Sequence, residues 1–193
     1  MHFILCALLS FNFFLSLNGQ LEKPLVVVIP SYNNELWCVD YNLATVFNQQ
    51  YENYRVIYIN DCSTDNTYHL VDQYIKDRGM QNRVTLINNQ VRKKALENLY
   101  YAIHLCTHDE IVLILDGDDW FKDQHVLSRI NQMYQDPSVW LTYGQYEEHT
   151  GVLGLSRQLP DWVIQKNSYR KYDWVTSHLR TFYAKLFKAI DKK

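Results

Sequence analysis

Three carboxylates follow one apolar run in the stretch EIVLILDGDDWF, and they belong to Asp116, Asp118 and Asp119. The run is predicted to be a strand covered on both faces, which is typical of parallel sheets in α/β proteins. Like charges this close raise one another's pKa unless a cation or hydrogen-bond donors hold them. A turn followed by a helix N-cap explains one aspartate and the glycine. A site for a hard divalent ion, which prefers carboxylate oxygen, explains all three carboxylates.

Two further predicted strands also end in polar clusters, PSYNNE at 30–35 and NDCSTDNT at 60–67. In open α/β sheets the carboxyl ends of parallel strands share one edge, where ligands bind, so we expect the three clusters to face one crevice. Because the sequence has neither the GxGxxG nor the P-loop motif, phosphates would be held by a metal, assisted by the RKK run at 92–94. A carboxylate such as Asp61 suits hydrogen bonds to a base edge or a ribose hydroxyl. Together these features predict a bound nucleoside diphosphate.

The elements that position these clusters alternate along the chain. Strands are predicted at LVVVIP, YRVIYIND, RVTLIN, the run before Asp116, and VWLTYGQY. Helices are predicted over 35–48, 63–79, 95–106 and 126–134, and a last amphipathic helix from Leu179 to Ile190. This order predicts an α/β fold with a mostly parallel sheet and helices on both faces.

Composition limits the alternatives. The chain has 193 residues and a formal charge of −2, so one globular domain is the default, and there is no basic footprint for nucleic acid. Cys38, Cys62 and Cys106 show no CxxC spacing, so we expect small buried hydrophobic residues rather than a zinc site or a disulfide framework.

The first 20 residues differ in character from the rest. Residues 3–17 form an apolar run broken by a few polar residues, followed by Asn18-Gly19-Gln20. The run is short for a membrane span. We expect residues 1–20 to be a secretory signal peptide, with an uncleaved membrane anchor as the alternative. Either places the protein in the secretory pathway, in the periplasm or at a membrane through residues 3–17, although a cytoplasmic location stays open.

The segments PLVVVIPSYNNE, YINDCSTDNT, RKKALEN and LILDGDDW, in this order, resemble an inverting glycosyltransferase of family two with the GT-A fold. The resemblance covers about 24–146, the nucleotide-sugar-binding core, and leaves 147–193 as a partial acceptor-side segment and C-terminal helix. It implies a nucleotide-sugar donor, expected to be a UDP-sugar, and a Mn²⁺ or Mg²⁺ ion. It also implies transfer to an acceptor hydroxyl, of a glycan, lipid or protein, with inversion at the anomeric carbon.

The resemblance also implies roles for residues of the first two loops. Pro30, Ser31, Tyr32 and Asn33 match the loop that touches the base and the ribose. Asp61 matches the carboxylate that reads the uracil ring.

Further positions match the diphosphate and metal end of the site. Lys94 falls where the family often has an arginine near the base and diphosphate, with Arg92 and Lys93 as close rivals. Asp116 is expected toward the ribose and the metal, and Asp118 on the metal.

Other positions keep two interpretations. Asp119 is a second metal contact or a helix cap, and His178 is a third metal ligand or diphosphate contact, or else an ordinary packed residue. Arg180 assists the leaving diphosphate or is a solvated charge. Trp162 and Trp174 are platforms for an acceptor sugar or ordinary packing residues.

The general base that inverting transfer requires is the weakest element of the pattern. The family usually supplies a late Asp or Glu, often as ED, and no ED follows Asp119. Asp161 and Asp173 are the candidates, and we expect the base itself to lie beyond Lys193 in a truncated or split protein. Two alternatives therefore remain beside a transferase: a nucleotide-sugar-binding module without turnover, and a metal-dependent phosphohydrolase.

Overall fold

The structure is a computed structural model that describes residues 21–173 and 175–190. In this part of the chain, the strands are β1 Leu25–Ser31, β2 Tyr54–Asn60, β3 Val84–Asn88, β4 Ile111–Ile114, β5 Leu141–Gly144 and β6 Ser177–Tyr183. The α-helices are α1 Ala44–Phe47, α2 Thr67–Asp77, α3 Lys94–His104, α4 Val126–Met133, α5 Asp161–Gln165 and α6 Ala184–Lys188. A π-helical segment, Cys38–Leu43, leads into α1, and a 3₁₀ turn spans Tyr169–Lys171.

The strands form one six-stranded sheet in the order β3-β2-β1-β4-β6-β5. Strands β1 to β4 pair in parallel, and β6 is antiparallel to both β4 and β5. Strand β5 therefore runs in the same direction as β1 to β4. The predicted mostly parallel α/β sheet is confirmed, with β6 as the one reversed strand among the described residues.

Both faces of the sheet are buried, as the apolar runs predicted. Along β1, Val27 and Ile29 point into one hydrophobic cluster, while Val26 and Val28 point into the other. All four side chains are fully buried. This alternation is what a strand covered by helices on two sides requires.

The helix predicted over 35–48 is wrong in its first half. Leu36, which the helical pattern placed on the apolar face, lies in a turn and is 73% exposed, and Trp37 beside it is 40% exposed. The chain then follows the π-helical segment before α1 begins at Ala44. A π-turn holds more than the usual number of residues, so a strict 3.6-residue pattern misplaces the side chains before it. It leaves Asn42 and Leu43 fully buried.

The last predicted helix, Leu179 to Ile190, is also wrong. Its first half is β6, which pairs with β4 through Ile111↔Tyr183 and Ile114↔Arg180, and only Ala184–Lys188 is helical. The apolar residues alternate between faces. Leu179 and Tyr183 pack on one cluster, and Phe182 packs on the other. Pairing with a buried strand outweighs the helical spacing, which a short apolar segment satisfies equally well.

Residues outside the sheet bear on two other expectations. Cys38 and Cys106 are buried, as expected, whereas Cys62 is half-buried. Within the described ranges, no helix combines the length and apolarity needed to cross a bilayer. The predicted signal peptide or anchor, residues 1–20, lies outside the described residues.

Candidate functional site

The acidic loop after β4 and the start of β6 bring Asp116, Asp119 and His178 together. One ligand atom from each lies within 4.8 Å of the other two. His178 Nε2 is 3.2 Å from an Asp116 carboxylate oxygen and 3.8 Å from one of Asp119. We call these three residues the metal cluster.

The charges in the metal cluster depend on one another. The hydrogen bond between His178 and Asp116 raises the pKa of His178 and, outweighing burial, lowers the pKa of Asp116. Burial raises the pKa of Asp119, and the charges of Asp116 and Asp118 add to that effect against the opposing influence of His178. The cluster thus concentrates negative charge that a proton on His178 only partly offsets.

The metal cluster fits a divalent ion of the Mg²⁺ or Mn²⁺ type. Ligands of an octahedral Mg²⁺ ion sit about 2.1 Å from it and therefore about 3–4 Å from one another. The 3.2 Å and 3.8 Å separations at His178 match this spacing. Carboxylate oxygen suits both ions, and imidazole is a common ligand of transition metals such as Mn²⁺. Asp118 lies beside the cluster, but its carboxylate is outside this group of atoms.

The backbone of the acidic loop is held from the first helical segment. Asn42 donates from Nδ2 to the carbonyl oxygen of Asp116 at 3.0 Å and to that of Asp119 at 2.7 Å. Gly117 approaches the first loop so closely that an added Cβ would meet Ser31 Oγ at 2.6 Å. The glycine in DGDD is therefore required for packing against the first loop, and not only for a turn.

The first loop, residues 30–35, is tied to the second, residues 60–67. The Asn33 N–H donates to Ser63 Oγ, and the Thr64 N–H donates to Asn33 Oδ1. Ser31 is buried and accepts a hydrogen bond from Tyr58 at 2.8 Å. Pro30 accepts a backbone hydrogen bond from Gly117. The three predicted clusters thus meet at one edge of the sheet.

Asp61 is buried and holds the basic segment in place. Its carboxylate accepts hydrogen bonds from the N–H groups of Lys93 and Lys94, each at 2.8 Å, and from Asn89 at 2.9 Å. Burial alone would raise the pKa of Asp61, but these donors lower it below the usual range. Asp61 therefore positions the turn that starts α3, and its predicted contact with a uracil ring stays a prediction.

The basic segment also contacts the first loop through side chains. The Arg92 guanidinium lies over the Tyr32 ring, 3.6 Å from its centroid. Lys94 adopts a positive φ of 66° at the start of α3 and is exposed. Arg92 thus contacts a predicted base-binding residue, Tyr32, through its side chain, whereas Lys93 and Lys94 contact Asp61 through their backbone N–H groups.

A cavity of about 750 Å³ opens beside the metal cluster. Its walls contain Asp118, Asp119 and His178. Two tryptophans, Trp37 after the first loop and Trp120 after the acidic residues, form another wall. The other lining residues come from the segment after β5 and from the chain up to the start of β6: Tyr146, Glu147, Glu148, His149, Leu155, Ser156, Val175, Thr176 and Ser177. A volume of this size is typical of small-ligand sites.

Several predicted acceptor-side residues do not line this cavity. Asp161 is exposed in the first turn of α5, and Asp173 is exposed with its carboxylate 3.9 Å from Arg157. Trp162 packs edge-on against Tyr172. Trp174 lies outside the described residues.

Arg180 is closer to the site. Its charge helps to lower the pKa of Asp116, and its buried Nε has no hydrogen-bond partner among the described residues. The predicted contact of Arg180 with a diphosphate stays a prediction.

The sequence patterns missed three groups of residues at the site. Asn42 was missed because the π-helical segment that buries it was predicted as a regular α-helix. Trp120 directly follows DGDD, and Trp37 follows PSYNNE, so proximity to the motifs was a usable signal for both. Glu147 and Glu148 follow β5 without a motif, and only the folding of the segment after β5 toward the metal cluster places them in the cavity.

Comparison with known proteins agrees with the fold. The model of glycosyl transferase family 2 matches residues 26–192, so the chain belongs to this family. A solved structure of S. aureus TarS, residues 1–349 with UDP-GlcNAc, matches 86% of this chain and 47% of that one, with a TM-score of 0.65 and 19% identity. A second, the mannosyltransferase PcManGT of Pyrobaculum calidifontis with GDP-Man and Mn²⁺, gives a TM-score of 0.63 and 18% identity over 87% of this chain and 46% of that one. The fold is therefore GT-A.

Curated relatives are similar over part of their length. TuaG of Bacillus subtilis, a putative teichuronic acid biosynthesis glycosyltransferase, is 36% identical over 108 residues, which is 53% of this chain and 39% of TuaG. An uncharacterized glycosyltransferase of Haemophilus influenzae is 27% identical over 150 residues, 75% of this chain and 44% of the relative. The chain thus spans less than half the length of these relatives.

Proposed function

We propose that this protein is a metal-dependent glycosyltransferase that moves a sugar from a nucleotide-sugar donor, by preference a UDP-sugar, to an acceptor hydroxyl with inversion. The observation that carries the proposal is the convergence of Asp116, Asp119 and His178 within 4.8 Å at the sheet edge where the first and second loops also meet. Membership of glycosyl transferase family 2 supports it. The UDP-GlcNAc and GDP-Man bound by the two structural neighbours support a nucleotide-sugar as the donor.

The residues of the site divide into two ends. Tyr32, with Arg92 over its ring, and the turn held by Asp61 form the end for the base and ribose. At the other end, Asp116, Asp119 and His178 would hold Mn²⁺ or Mg²⁺. When bound, the ion supplies positive charge that stabilises the departing diphosphate.

Three other side chains act on the diphosphate or on water near it. The Arg180 charge lies near enough to Asp116 to lower its pKa, and it would attract a diphosphate bound beside the cluster. Asp118 lines the cavity next to the cluster and would accept hydrogen bonds from the hydroxyls of the donor sugar or from water beside the diphosphate. Trp120 covers the same side of the cavity and limits the access of water.

The first prediction tests donor binding. Calorimetric titration with UDP should show affinity that depends on Mn²⁺, and Asp119→Asn should weaken it at least about tenfold because a charged ligand is lost. Asp123→Asn is the matched control, because Asp123 is an exposed carboxylate nearby that pairs with Arg129. Equal affinity for UDP in Mn²⁺ and in EDTA would refute metal dependence. Tighter binding of GDP than of UDP would show that the site prefers guanine to uracil.

The reaction products distinguish sugar transfer from hydrolysis and from binding without turnover. With a panel of UDP- and GDP-sugars, a transferase forms a glycoside of inverted configuration when an acceptor is present. A phosphohydrolase releases phosphate regardless of the acceptor, and a binding module releases neither.

A further inference from the structure

An exposed aromatic surface lies at the mouth of the cavity. Trp37, Tyr41 and Trp120 form it, and we call these three residues the aromatic platform. The Trp37 and Trp120 rings are nearly parallel, at 14°, with centroids 6.1 Å apart, and the Tyr41 ring lies within 5.3 Å of both. Trp37 is 40% and Tyr41 44% exposed. Neighbouring large aromatic side chains left exposed together commonly mark a binding site.

The aromatic platform is continuous with the metal cluster. Trp37 and Trp120 line the same cavity as Asp119 and His178. Tyr146 stands on another wall, with its ring edge-on to His178 at a centroid distance of 6.4 Å. A molecule resting on the platform would therefore reach the part of the cavity where the donor's sugar is expected.

The charges around the cavity disfavour an anionic acceptor beside the donor diphosphate. Its walls contain four carboxylates, those of Asp118, Asp119, Glu147 and Glu148. Within residues 21–173 and 175–190, no lysine or arginine lines it. A bound divalent ion would offset two of these charges and be engaged by the diphosphate. Of the other two carboxylates, Glu147 is paired with Lys122, and Glu148 has no ion pair among the described residues. A phosphorylated acceptor would therefore face the unpaired Glu148 carboxylate.

The same carboxylates suit hydroxyl groups. Glu147 and Glu148 are exposed acceptors on the wall formed after β5, and a carboxylate accepts hydrogen bonds from hydroxyls readily. A pyranose ring combines an apolar C–H face, which packs on aromatic rings, with hydroxyls around its rim. An alkyl chain would match the aromatic rings but would offer no hydrogen-bond donors to these carboxylates.

We propose that the aromatic platform and the Glu147–Glu148 wall form the acceptor subsite, and that the acceptor is a neutral saccharide whose pyranose ring packs on Trp37 and Trp120. This inference rests on the proposed transferase function and adds to it the chemical class of the acceptor.

The test is saturation-transfer NMR on the full chain with UDP and Mg²⁺, a diamagnetic ion that does not broaden the ligand signals. The probes are four methyl pyranosides: those of β-glucose, β-galactose, α-mannose and N-acetyl-β-glucosamine. At least one should receive saturation, strongest at the C–H protons of one ring face. Trp37→Ala and Trp120→Ala should weaken its binding about fivefold, the size of an aromatic stacking contribution. Trp162→Ala, which removes a tryptophan that is 49% exposed and lies off the cavity, should change nothing.

Calorimetric titration of the wild-type protein and the same variants with UDP separates a failure of the proposed transferase function from a failure of the acceptor inference. If the wild-type protein fails to bind UDP with Mn²⁺, the proposed function fails. If UDP binds normally but no pyranoside receives saturation, the acceptor inference is overturned. Equal saturation in wild type and Trp37→Ala overturns it as well, as does stronger binding of glucose 6-phosphate or dodecylphosphocholine than of every pyranoside. Trp37→Phe, which keeps an aromatic ring at an exposed site, should retain binding. It therefore tests the platform even if the alanine variant fails to fold.

Discussion

At the scale of single residues, Asn42 connects the first helical segment to the metal cluster. It is fully buried, and its amide spans the carbonyl oxygens of Asp116 and Asp119. These two bonds fix the backbone from which both carboxylates project. Side chains that orient metal ligands in this way affect metal affinity without touching the metal.

Replacing Asn42 should therefore weaken the metal site. We expect Asn42→Leu to reduce Mn²⁺ affinity about tenfold, because both carbonyls lose their donor and the acidic loop can relax. Electron paramagnetic resonance of free Mn²⁺ measures this directly, without any turnover.

Gln49 provides the matched control for Asn42. It is also buried, and its Nε2 donates to the carbonyl oxygens of Thr45 and Asp123, beyond the acidic loop. Gln49→Leu should lower stability but leave Mn²⁺ affinity unchanged. Equal losses of Mn²⁺ affinity in the two variants would mean that any loosening of this region weakens the metal site, and that Asn42 has no special role.

At the scale of elements, the reversed strand β6 completes the site. It inserts between β4 and β5 and brings His178 to the end of the sheet where Asp116 lies. Gly144 on β5 permits this approach, since a Cβ there would meet the backbone oxygen of His178 and the nitrogen of Leu179, each at 2.8 Å. The position of His178 thus depends on a strand pair with no room for a side chain at that point.

A substitution at Gly144 tests the role of this strand pair. Gly144→Ala should shift the backbone of His178 and lower Mn²⁺ affinity, measured as for Asn42, while the protein still folds. Thr142→Ala is the control, because it removes the buried hydrogen bond to Thr181 in the same strand pair without crowding His178. A normal Mn²⁺ affinity in Gly144→Ala would show that β6 adapts without moving the histidine.

At the scale of the whole molecule, the two ends of the parallel strands have different roles. The carboxyl ends of β1, β2 and β4 carry the site. At the amino ends, Glu110 precedes β4, is 8% exposed, and accepts hydrogen bonds from Arg55 at 2.7 Å and 3.0 Å. This ion pair joins β2 to the start of β4 across the first strand and is far along each strand from the chemistry.

The pH dependence of stability follows from that pair. Burial alone would raise the pKa of Glu110, but the Arg55 guanidinium and the Thr107 N–H hold it below the ordinary value of 4.5. Its stabilisation is therefore fully present above pH 4.5 and is lost as the pH falls through the lowered pKa.

Glu110→Gln should cost about 2 kcal/mol of unfolding free energy at pH 7, because a largely buried charge-assisted hydrogen bond is lost. The difference from wild type should shrink as the pH falls from 4.5 through the lowered pKa of Glu110, because the carboxylate becomes protonated. Urea unfolding at pH 7 and at a series of acidic pH values measures both. Lys76→Gln, which breaks the exposed pair with Asp72, should leave stability unchanged. A difference that stays constant with pH would show that the carboxylate charge is not involved.

The sequence alone determined the parallel strands of the sheet and the polar clusters at their carboxyl ends. The apolar runs of β1, β2 and β4 are long enough, and β-branched enough, to specify buried parallel strands. The polar residues that end them are therefore bound to meet at one edge, and the structure brings Pro30, Ser31, Asn33, Asp61 and Asp116 there. These features depend on local pattern and on one general rule of parallel sheets.

The tertiary structure alone decided which residues complete the site. The segment from Leu179 to Ile190 has helical spacing, and only pairing with β4 makes its first half a strand that delivers His178 and Arg180. The π-helical segment, which no periodic pattern predicts, turns Asn42 inward and Trp37 outward. Glu147 and Glu148 enter the cavity because the chain after β5 folds back toward the metal cluster. Each of these outcomes depends on contacts between segments distant in sequence, whose energies exceed the weak local preferences that the sequence displays.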